Sequence, residues 1–293
     1  LILHGGDVLP FKGHAAPGCG QHADQGASPG AFSAAAQAAG RRLRIHVKAD
    51  TGMSRLGWLC DEGHRTEAAD AIAAVCALPG LEVEGIYTHF ANADGDEAYT
   101  MGQFTRFLEL LSELEGRGIT FPIRHCAASA AVLKYPCTHL DMVRPGVALY
   151  GHYPDPSCEG LDGVGLRPVM ALKTRVASVK AVPAGTPVSY GCTHVLERDA
   201  ELAALTVGYA DGLPRLCSDQ LEVLIRGQRA PIVGRVCMDM CMADATGLGA
   251  APGDEVELFG EHLPVEDTAA LAGTIQYELL CAVSPRVPRE YLN

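Results

Sequence analysis

The sequence predicts a two-domain protein, in which parallel strand–helix units precede a mainly antiparallel β domain. From about residue 43 to residue 168, apolar strand patterns alternate with helical ones, as in a barrel or a doubly wound sheet. After about residue 168, the apolar segments are short, β-branched and separated by Gly, Pro and Asp. The 293 residues, 48% of them apolar, suffice for two separate cores. We therefore place the domains at residues 1–168 and 169–293.

In the first domain, segments with the two-residue apolar repeat of a strand alternate with segments that have the 3.6-residue repeat of a helix. Strands are predicted at 43–48, 81–89 and 121–127, and residues 139–146 form a further strand or strand end. Helices are predicted at 61–78 and at 129–134. A helix between the second and third strands is indicated by apolar residues that recur on one helical face, namely Phe104, Phe107, Leu108, Leu111 and Leu114.

The second domain contains five strand-like segments and one helix. The strands are predicted at 169–182, 203–209, 222–227, 230–238 and 254–260. The helix is predicted at about 266–283. Residues 10–30 fit neither period, because they are rich in Gly and Pro, and they indicate either a mobile connection or an altered sequence.

Composition excludes several classes of function. The net charge of −12, from 23 basic and 35 acidic residues, argues against a nucleic-acid partner. No apolar window approaches the length of a transmembrane helix, so we expect no membrane partner. The 11 cysteines contain no CxxC pair, and Cys237 and Cys241 are the closest two. Such scattered thiols predict a reducing, cytoplasmic location without disulfides or a metal site.

Polar side chains stand at four successive strand ends of the first domain. In a barrel these ends share one rim, where active sites are built. A single histidine or arginine there is usually structural, but four such places in succession, each followed by Gly or small residues, favour a site. The residues are Lys48 and Arg55, His89, His125 and Ser129, and Arg144 followed by Gly146.

Two of these places suit a phosphate group. Ser129 opens a short helix, where free N–H groups and the hydroxyl converge on an anion. Gly146 and Val147 follow Arg144 in a loop that presents further N–H donors. A glycine after a strand is more often only a turn, so neither signal is specific alone.

Nine segments, in order along the chain, closely resemble the bacterial alanine racemases, which are pyridoxal-phosphate (PLP) enzymes with a TIM-like α/β barrel followed by a β domain. The most specific strings are DTGMSRLG, VRPGVALYG, SYG, GYADG and GRVCMD. The segments are HVKADTGMSRLGW (46–58), EGIYTHFANAD (84–94), HCAASAA (125–131), MVRPGVALYG (142–151), VSYGCTH (188–194), VGYADGLPR (207–215), GRVCMDM (234–240), TIQYELLC (274–281) and RVPREY (286–291).

The resemblance implies a reaction in which alanine is carried as an aldimine of PLP and its α-proton is removed and returned. Tyr190 matches the catalytic tyrosine, which in the family reaches the site from the neighbouring subunit, so a homodimer is implied. Arg144 matches the arginine that hydrogen-bonds the pyridine nitrogen. His125 is then placed to support Arg144, and His89 to contact the cofactor ring and the tyrosine.

The resemblance also implies binding roles. Arg55 and the backbone of Met238 match the groups that hold the substrate carboxylate, and Lys48 matches the lysine that many members carbamylate. The phosphate-binding positions are Ser129, Gly146, Val147 and Tyr277. The entry corridor of the family is matched by Asp94, Tyr209, Arg215 and Arg235, with Asp239 beside Met238.

The lysine that forms the Schiff base in the family lies in a KA-x-AYGHG-type motif, and this sequence has no such motif. Its lysines are Lys12, Lys48, Lys134, Lys173 and Lys180. A complete barrel takes roughly 250 residues, which is more than precede the predicted domain boundary. We therefore expect a barrel whose N-terminal βα units are missing. Because the Schiff-base lysine is missing with them, we expect this polypeptide to be inactive. Ala128 also stands where the family usually has Asn.

The resulting expectation is an enzyme that interconverts L- and D-alanine and supplies D-alanine for peptidoglycan. A racemase for another amino acid, such as serine, is an alternative, although the bulky Tyr277 favours a methyl side chain. A non-catalytic PLP-binding homologue is a second alternative, against which the β domain counts. A degenerate gene product without function is the third.

Overall fold

The computed structural model describes residues 2–3, 29–163 and 165–292. The chain divides into two compact units, Leu1–Leu166 and Arg167–Asn293. Lys12 and all but the last two residues of the irregular segment 10–30 lie outside the described residues. None of the helices in the described part of the chain is both long and apolar enough to cross a bilayer.

The first unit is built on a parallel sheet. Its strands follow the order β1-β2-β4-β5, with β3 paired to β2, and every pairing is parallel. The carboxyl ends of the strands therefore lie at one edge of the sheet. The elements are β1 (Ile2–Leu3), α1 (Pro29–Ala38), β2 (Leu43–Asp50), β3 (Trp58–Leu59), α2 (Arg65–Cys76), β4 (Leu81–Tyr87), α3 (Glu97–Gly116), β5 (Ile123–His125) and α4 (Ser129–Lys134).

The core of this unit lies between the sheet and the apolar faces of α2 and α3. Ile45 of β2, Ile72 of α2 and Phe107 of α3 are each fully buried, which contributes about 1.5–3 kcal/mol per side chain. The sequence placed Leu108 on the apolar face of α3, and this prediction was wrong, since Leu108 is exposed and Leu110 is buried. Three-residue spacing puts Leu110 on the face of Phe107, whereas Leu108 is turned away by about 100°.

Residues 139–146, predicted as a strand or strand end, do not form a strand. Only an isolated parallel bridge joins Arg144 to Ala128, and a 3₁₀ turn, Val147–Tyr150, follows. Leu140 has a φ of 51°, and Pro145 has no N–H to donate to a ladder. The segment is therefore a loop that carries Arg144 to the strand-end edge of the sheet.

The second unit contains a six-stranded antiparallel sheet in the order β11-β10-β13-β6-β9-β12, and a separate pair, β7 and β8. The core lies against this sheet. The elements are β6 (Leu172–Val182), β7 (Pro187–Val188), β8 (His194–Val195), β9 (Ala200–Leu205), β10 (Glu222–Ile225), β11 (Gln228–Pro231), β12 (Cys241–Asp244), β13 (Glu255–Phe259), α5 (Val265–Leu271) and α6 (Gln276–Ala282).

Two predictions in this unit were wrong in detail. The strand expected at 230–238 ends at Pro231, and Gly234, with a φ of 77°, turns the chain into a loop before β12. The single helix expected at 266–283 is two helices, because Gly273 has a φ of 65° and ends the first of them.

Candidate active site

Arg144 is the centre of a hydrogen-bonded cluster at the strand-end edge of the parallel sheet. Its Nη1 donates to Nδ1 of His125 at 2.5 Å. Its Nη2 donates to the carbonyl oxygens of Thr88 at 2.9 Å and Cys126 at 3.2 Å, and it lies 3.1 Å from Nδ1 of His89. These contacts use one N–H of Nη1 and both of Nη2, so Nε–H and the second N–H of Nη1 are the donors that a ring nitrogen of a ligand could use.

Both histidines of this cluster are neutral near neutral pH. Burial, with a further contribution from the positive charge of Arg144, lowers the pKa of His125 to about 3 and that of His89 to about 4. Burial also lowers the pKa of Arg144, yet a guanidinium keeps its proton in proteins. The cluster therefore holds one permanent cation against two uncharged imidazole acceptors.

Tyr87 completes the cluster and was missed by the sequence analysis. Its ring stacks on His125 with centroids 4.9 Å apart and an interplanar angle of 2°. The guanidinium carbon of Arg144 lies 5.1 Å from the centroid of the Tyr87 ring, a cation–π arrangement. Burial raises the pKa of Tyr87 to about 12. The available signal was the i, i+2 spacing of Tyr87 and His89, which places them on one side of the strand.

Lys48 lies at the end of β2 with its ammonium group buried. Its Nζ is the one buried amine without a hydrogen-bond partner among the described residues, and the side chain is only 2% exposed. Burial lowers the pKa of Lys48, and the nearby charges of Arg55 and Arg144 lower it further, against the opposite effect of Asp50. A neutral amine at this position is therefore favoured more than at a surface lysine.

The loop that follows β2 carries Arg55 beside this cluster. The carboxylate of Asp50 accepts the backbone N–H groups of residues 52–54 at 2.9–3.1 Å, which fixes the start of the loop. Arg55 itself is exposed, and its charge lowers the pKa of His89. A second cation thus stands near the imidazoles, where a carboxylate of a ligand would bind favourably.

Ser129 and Gly146 form a second polar group at the same edge. The hydroxyl oxygen of Ser129 accepts the N–H of Gly146 at 2.8 Å and that of Ala148 at 3.3 Å. A Cβ added to Gly146 would meet only the Ser129 hydroxyl, at 3.8 Å, so the backbone there is open to a ligand. Val147, which follows Gly146, begins a 3₁₀ turn. The Ser129 hydroxyl can donate its proton, and together with the open backbone at Gly146 it suits an anion such as a phosphate.

Gln103 of α3 joins the ends of β2 and β4 and was also missed by the sequence analysis. Its side chain is fully buried. It donates to the His89 carbonyl oxygen at 3.2 Å and to the Thr51 hydroxyl at 3.3 Å, and it accepts the N–H of Ala91 at 2.8 Å. A glutamine within an apolar helical stripe gives no sequence signal for these long-range contacts.

Asp94 and Lys134 meet in the loop after β4. The Nζ atom of Lys134 donates to the backbone carbonyl of Asp94 at 2.5 Å. This contact fixes the backbone of the loop and engages the lysine amine.

In the second unit, Tyr190 lies on a turn held by Arg235. Ser189 has a φ of 62°, and its hydroxyl donates to the Arg235 carbonyl oxygen at 2.7 Å. Gly191 has a φ of 76°, and a Cβ there would lie 3.0 Å from the guanidinium of Arg235. The turn therefore fixes Tyr190, which is 72% exposed, with its phenol available for contacts.

Tyr209 and Met238 lie side by side in the same unit. The N–H of Tyr209 donates to the Cys237 carbonyl at 3.0 Å, and that of Ala210 donates to the Met238 carbonyl at 2.8 Å. A Cβ on Gly208 would lie 2.3 Å from the Cys237 carbonyl oxygen. Glycine is therefore required for these two segments to approach so closely.

The structure brings most of the predicted site residues into groups within each unit. In the first unit, Lys48, His89, His125 and Arg144 interact with one another, and Arg55 acts on them through its charge. In the second unit, Arg215 is exposed in a 3₁₀ turn, Tyr277 is the second residue of α6 and 37% exposed, and Asp239 is exposed beside Met238.

Comparisons with known proteins agree with one another. The family model described as "Alanine racemase, N-terminal domain" matches residues 27–154, and "Alanine racemase, C-terminal domain" matches residues 169–291. The alanine racemase of Desulforamulus reducens is 51% identical over 265 residues, 89% of this chain and 70% of that protein. The alanine racemase of Desulfovibrio desulfuricans is 48% identical over 266 residues, 90% and 70% of the two chains.

Solved structures show the same similarity. The alanine racemase of Streptomyces lavendulae, a D-cycloserine producer, superimposes with a TM-score of 0.82 at 40% identity, over 89% of this chain and 69% of that one. The alanine racemase of Streptomyces coelicolor superimposes with a TM-score of 0.83 at 39% identity, with the same coverage of both chains.

Proposed function

Because this chain belongs to the alanine racemase family, whose members are PLP-dependent isomerases, we propose that the protein containing these residues interconverts L- and D-alanine with PLP. The predicted fold class is confirmed, since the chain has the fold of the family, with a barrel-like α/β domain followed by an antiparallel β domain. The observation that carries the proposal is the Arg144 cluster, a permanent cation held rigidly by His125 and two carbonyl groups.

The residues of the first unit fit PLP chemically. Arg144 offers a charged donor for a pyridine nitrogen, and the neutral His89 ring lies beside it. Ser129, Gly146 and Val147 offer the hydroxyl and open backbone that a phosphate needs. When bound, PLP supplies an electron-withdrawing ring that acidifies the α-proton of an attached amino acid. The proposal includes Tyr277 as a further phosphate contact.

Arg144 decides which outcome of proton removal is favoured. Its guanidinium donates a hydrogen bond but does not give up its proton, so the ring nitrogen that accepts the bond stays neutral. A PLP ring held by Arg144 in this way would withdraw electrons more weakly than a protonated ring, which would favour return of the proton to the α-carbon. Racemisation is therefore favoured over transamination.

The other proposed roles follow from position and chemistry. Tyr190, on its fixed turn, moves the α-proton on one face of the substrate and acts in the site of the partner subunit of a homodimer. Arg55 binds the substrate carboxylate, with the backbone of Met238, because a guanidinium forms paired hydrogen bonds to a carboxylate. The proposal places Asp94, Tyr209, Arg215 and Arg235 along the path of substrate entry.

Lys48 is proposed to react with CO₂ to give a carbamate. The neutral amine attacks the carbon of CO₂, a C–N bond forms as one C=O π bond breaks and leaves its electron pair on oxygen, and the nitrogen releases one proton to water. Burial and neighbouring cations support this step, because they favour the neutral form of Lys48. The carbamate carries a negative charge that pairs with Arg55. It also replaces a buried amine that has no hydrogen-bond partner among the described residues.

The second face of the substrate requires a lysine acid/base in this family, and these residues offer no match. Among the lysines of the described residues, Lys134 donates to Asp94, Lys173 donates to Glu255, Lys180 is exposed on β6, and Lys48 has the other role; Lys12 lies outside the described residues. We expect the 293 residues alone to be inactive for this reason. We also propose cytoplasmic location and D-alanine supply for peptidoglycan as the cellular role.

The test is racemisation by the protein translated from its complete reading frame. With PLP, we expect D-alanine from L-alanine and the reverse, slower turnover of serine, and a large loss of turnover in Tyr190→Phe. The 293-residue chain assayed in parallel should form no D-alanine. Equal turnover of alanine and serine would contradict the proposal that alanine is the preferred substrate. Binding of PLP without racemisation by the complete protein would favour a non-catalytic role.

A further inference from the structure

The hydrogen bond between Arg144 and His125 fixes the protonation of the imidazole. A guanidinium can only donate hydrogen bonds, so Nδ1 of His125 must be the acceptor at 2.5 Å. His125 is neutral, because burial lowers its pKa to about 3. A neutral imidazole has one proton, which must therefore lie on Nε2.

The proton on Nε2 of His125 points at a second histidine. Nε2 lies 2.8 Å from Nδ1 of His46 on β2. Since Nε2 of His125 donates, Nδ1 of His46 must accept, and a neutral His46 then carries its own proton on Nε2. That atom lies 3.4 Å from the carboxylate of Glu84, whose other oxygen is held by Arg44 at 2.9 Å. Each donor in this series thus faces an acceptor.

Gly85 makes the contact between the two histidines possible. His46 on β2 and His125 on β5 lie on opposite sides of β4, in which Gly85 pairs with His46 and Ile123. A Cβ on Gly85 would lie 2.5 Å from Nδ1 of His46, 2.7 Å from its Cε1 and 2.6 Å from the carbonyl oxygen of Ile123. The missing side chain therefore leaves the space through which the His46 ring reaches across the middle strand.

We propose that His46 is a positioning residue: through the space above Gly85 it fixes the tautomer of His125, and thereby the orientation of the Arg144 guanidinium. This inference extends the proposed function, in which Arg144 binds the ring nitrogen. Burial also lowers the pKa of His46, against the opposite effect of Glu84, which supports a neutral ring. Tyr87 covers one face of the His125 ring, so the polar contacts of His125 are made by its two nitrogens in the plane of the ring.

The direct test is the protonation of the imidazole nitrogens, measured by ¹H–¹⁵N NMR of the ¹⁵N-histidine-labelled chain near pH 8. The signals are assigned with His46→Asn and His125→Asn. We expect both His46 and His125 to be protonated on Nε2 and unprotonated on Nδ1. A proton on Nδ1 of either ring would overturn the proposal.

Three substitutions separate positioning from packing. His46→Asn keeps an acceptor oxygen near the position of Nδ1, and should retain the hydrogen-bonded Nε2 signal of His125. His46→Leu removes the acceptor and should shift that signal. Gly85→Ala should also shift it, because its methyl group would displace the His46 ring together with the carbonyl of Ile123. His64→Leu, at an exposed histidine paired with Asp61, is the matched control and should leave it unchanged. Identical His125 signals in the Asn and Leu variants would contradict the proposal.

Turnover of the complete protein gives the functional readout. His46→Leu should lower kcat about tenfold, as expected for the loss of one buried hydrogen bond to a charged network, with KM for alanine nearly unchanged, and His46→Asn should recover most of it. The NMR result does not depend on activity. If the tautomers are found as expected but alanine is not racemised, the proposed function fails and the positioning role of His46 stands.

Discussion

The side-chain amide of Gln103, buried in helix α3, donates to the backbone carbonyl of His89 at 3.2 Å and so ties a helix to the end of β4. The same side chain accepts the N–H of Ala91 and donates to Thr51 at the end of β2. The position of His89 beside Arg144 thus depends on one glutamine that does not itself contact the arginine.

Gln103→Leu should therefore destabilise the protein. The substitution keeps a similar side-chain volume but removes the hydrogen bonds to the N–H of Ala91, the His89 carbonyl oxygen and the buried Thr51 hydroxyl, at a cost of about 1–3 kcal/mol. Urea denaturation followed by circular dichroism measures this loss. Gln37→Leu, at an exposed position of α1, is the control and should change the free energy of unfolding by less than about 0.5 kcal/mol.

The buried histidines predict a loss of stability in acid. Between pH 6.5 and about 4, the unfolded chain binds a proton at His89 that the folded chain does not bind. The free energy of unfolding therefore falls as pH falls, by about 1.4 kcal/mol per pH unit from this group. In His89→Asn the slope should be smaller by that amount, as measured by urea denaturation at several pH values.

His64 provides a control of opposite sign for this experiment. Its hydrogen bond to Asp61 raises its pKa, so its contribution is present below pH 6.5 and is lost as pH rises. Removing this exposed histidine with His64→Asn should not reduce the acid slope. If His89→Asn and His64→Asn gave the same slope, burial of His89 would not be the cause.

Ser129→Ala should weaken PLP binding. The substitution removes the hydroxyl and leaves the N–H groups of Gly146 and Ala148 without their acceptor. Loss of one hydrogen bond to a charged phosphate corresponds to about a 10- to 100-fold increase in Kd. Titration with PLP, followed by its absorbance, measures the change. Ser112→Ala, on the exposed side of α3, should leave Kd unchanged.

Gly208→Ala should displace Tyr209 and Met238. The new methyl group would lie 2.3 Å from the Cys237 carbonyl oxygen and 2.5 Å from Met238 backbone atoms, and backbone cannot move aside as a side chain can. We expect a loss of about 2 kcal/mol or more in the free energy of unfolding. Gly102→Ala, in helix α3 with nothing within 4 Å, should instead stabilise by up to about 1 kcal/mol.

Carbamylation of Lys48 is measurable directly. In ¹³C-bicarbonate, ¹³C NMR should show one carbamate carbon that grows with pH, because the neutral amine is the reactive form. Lys48→Ala should remove this signal, whereas Lys134→Ala, at a lysine that donates to Asp94, should retain it. A carbamate signal that persists in Lys48→Ala would place the modification elsewhere.

The sequence predicted the βα rhythm, the antiparallel second domain and the strand end at His125, which the helix beginning at Ser129 follows. Periodicity is a local property, so these features are readable without coordinates. The loop at 139–146 and the division into α5 and α6 were not predicted, because each depends on backbone conformation at Leu140 or Gly273 rather than on apolar spacing.

Tyr87, Gln103 and His46 were missed for a different reason. Each acts through a contact with a residue distant in the chain, and each has an ordinary structural interpretation when read alone. Tyr87 and Gln103 are both typical of packed strand and helix positions. His46 differs from a surface strand residue only because Gly85, on the neighbouring strand, admits its ring.

Gly85 illustrates how a position can be constrained by what it lacks. Glycine within a strand usually costs about 0.5–1 kcal/mol relative to alanine through lost conformational entropy. At position 85, however, a Cβ would lie 2.5 Å from Nδ1 of His46 and 2.6 Å from the carbonyl oxygen of Ile123, so a methyl group would separate the two imidazoles and also strain the pairing of β4 with β5. A redesign that replaced strand glycines by rule would therefore lower the melting temperature and disturb the alignment of Arg144 at the same time.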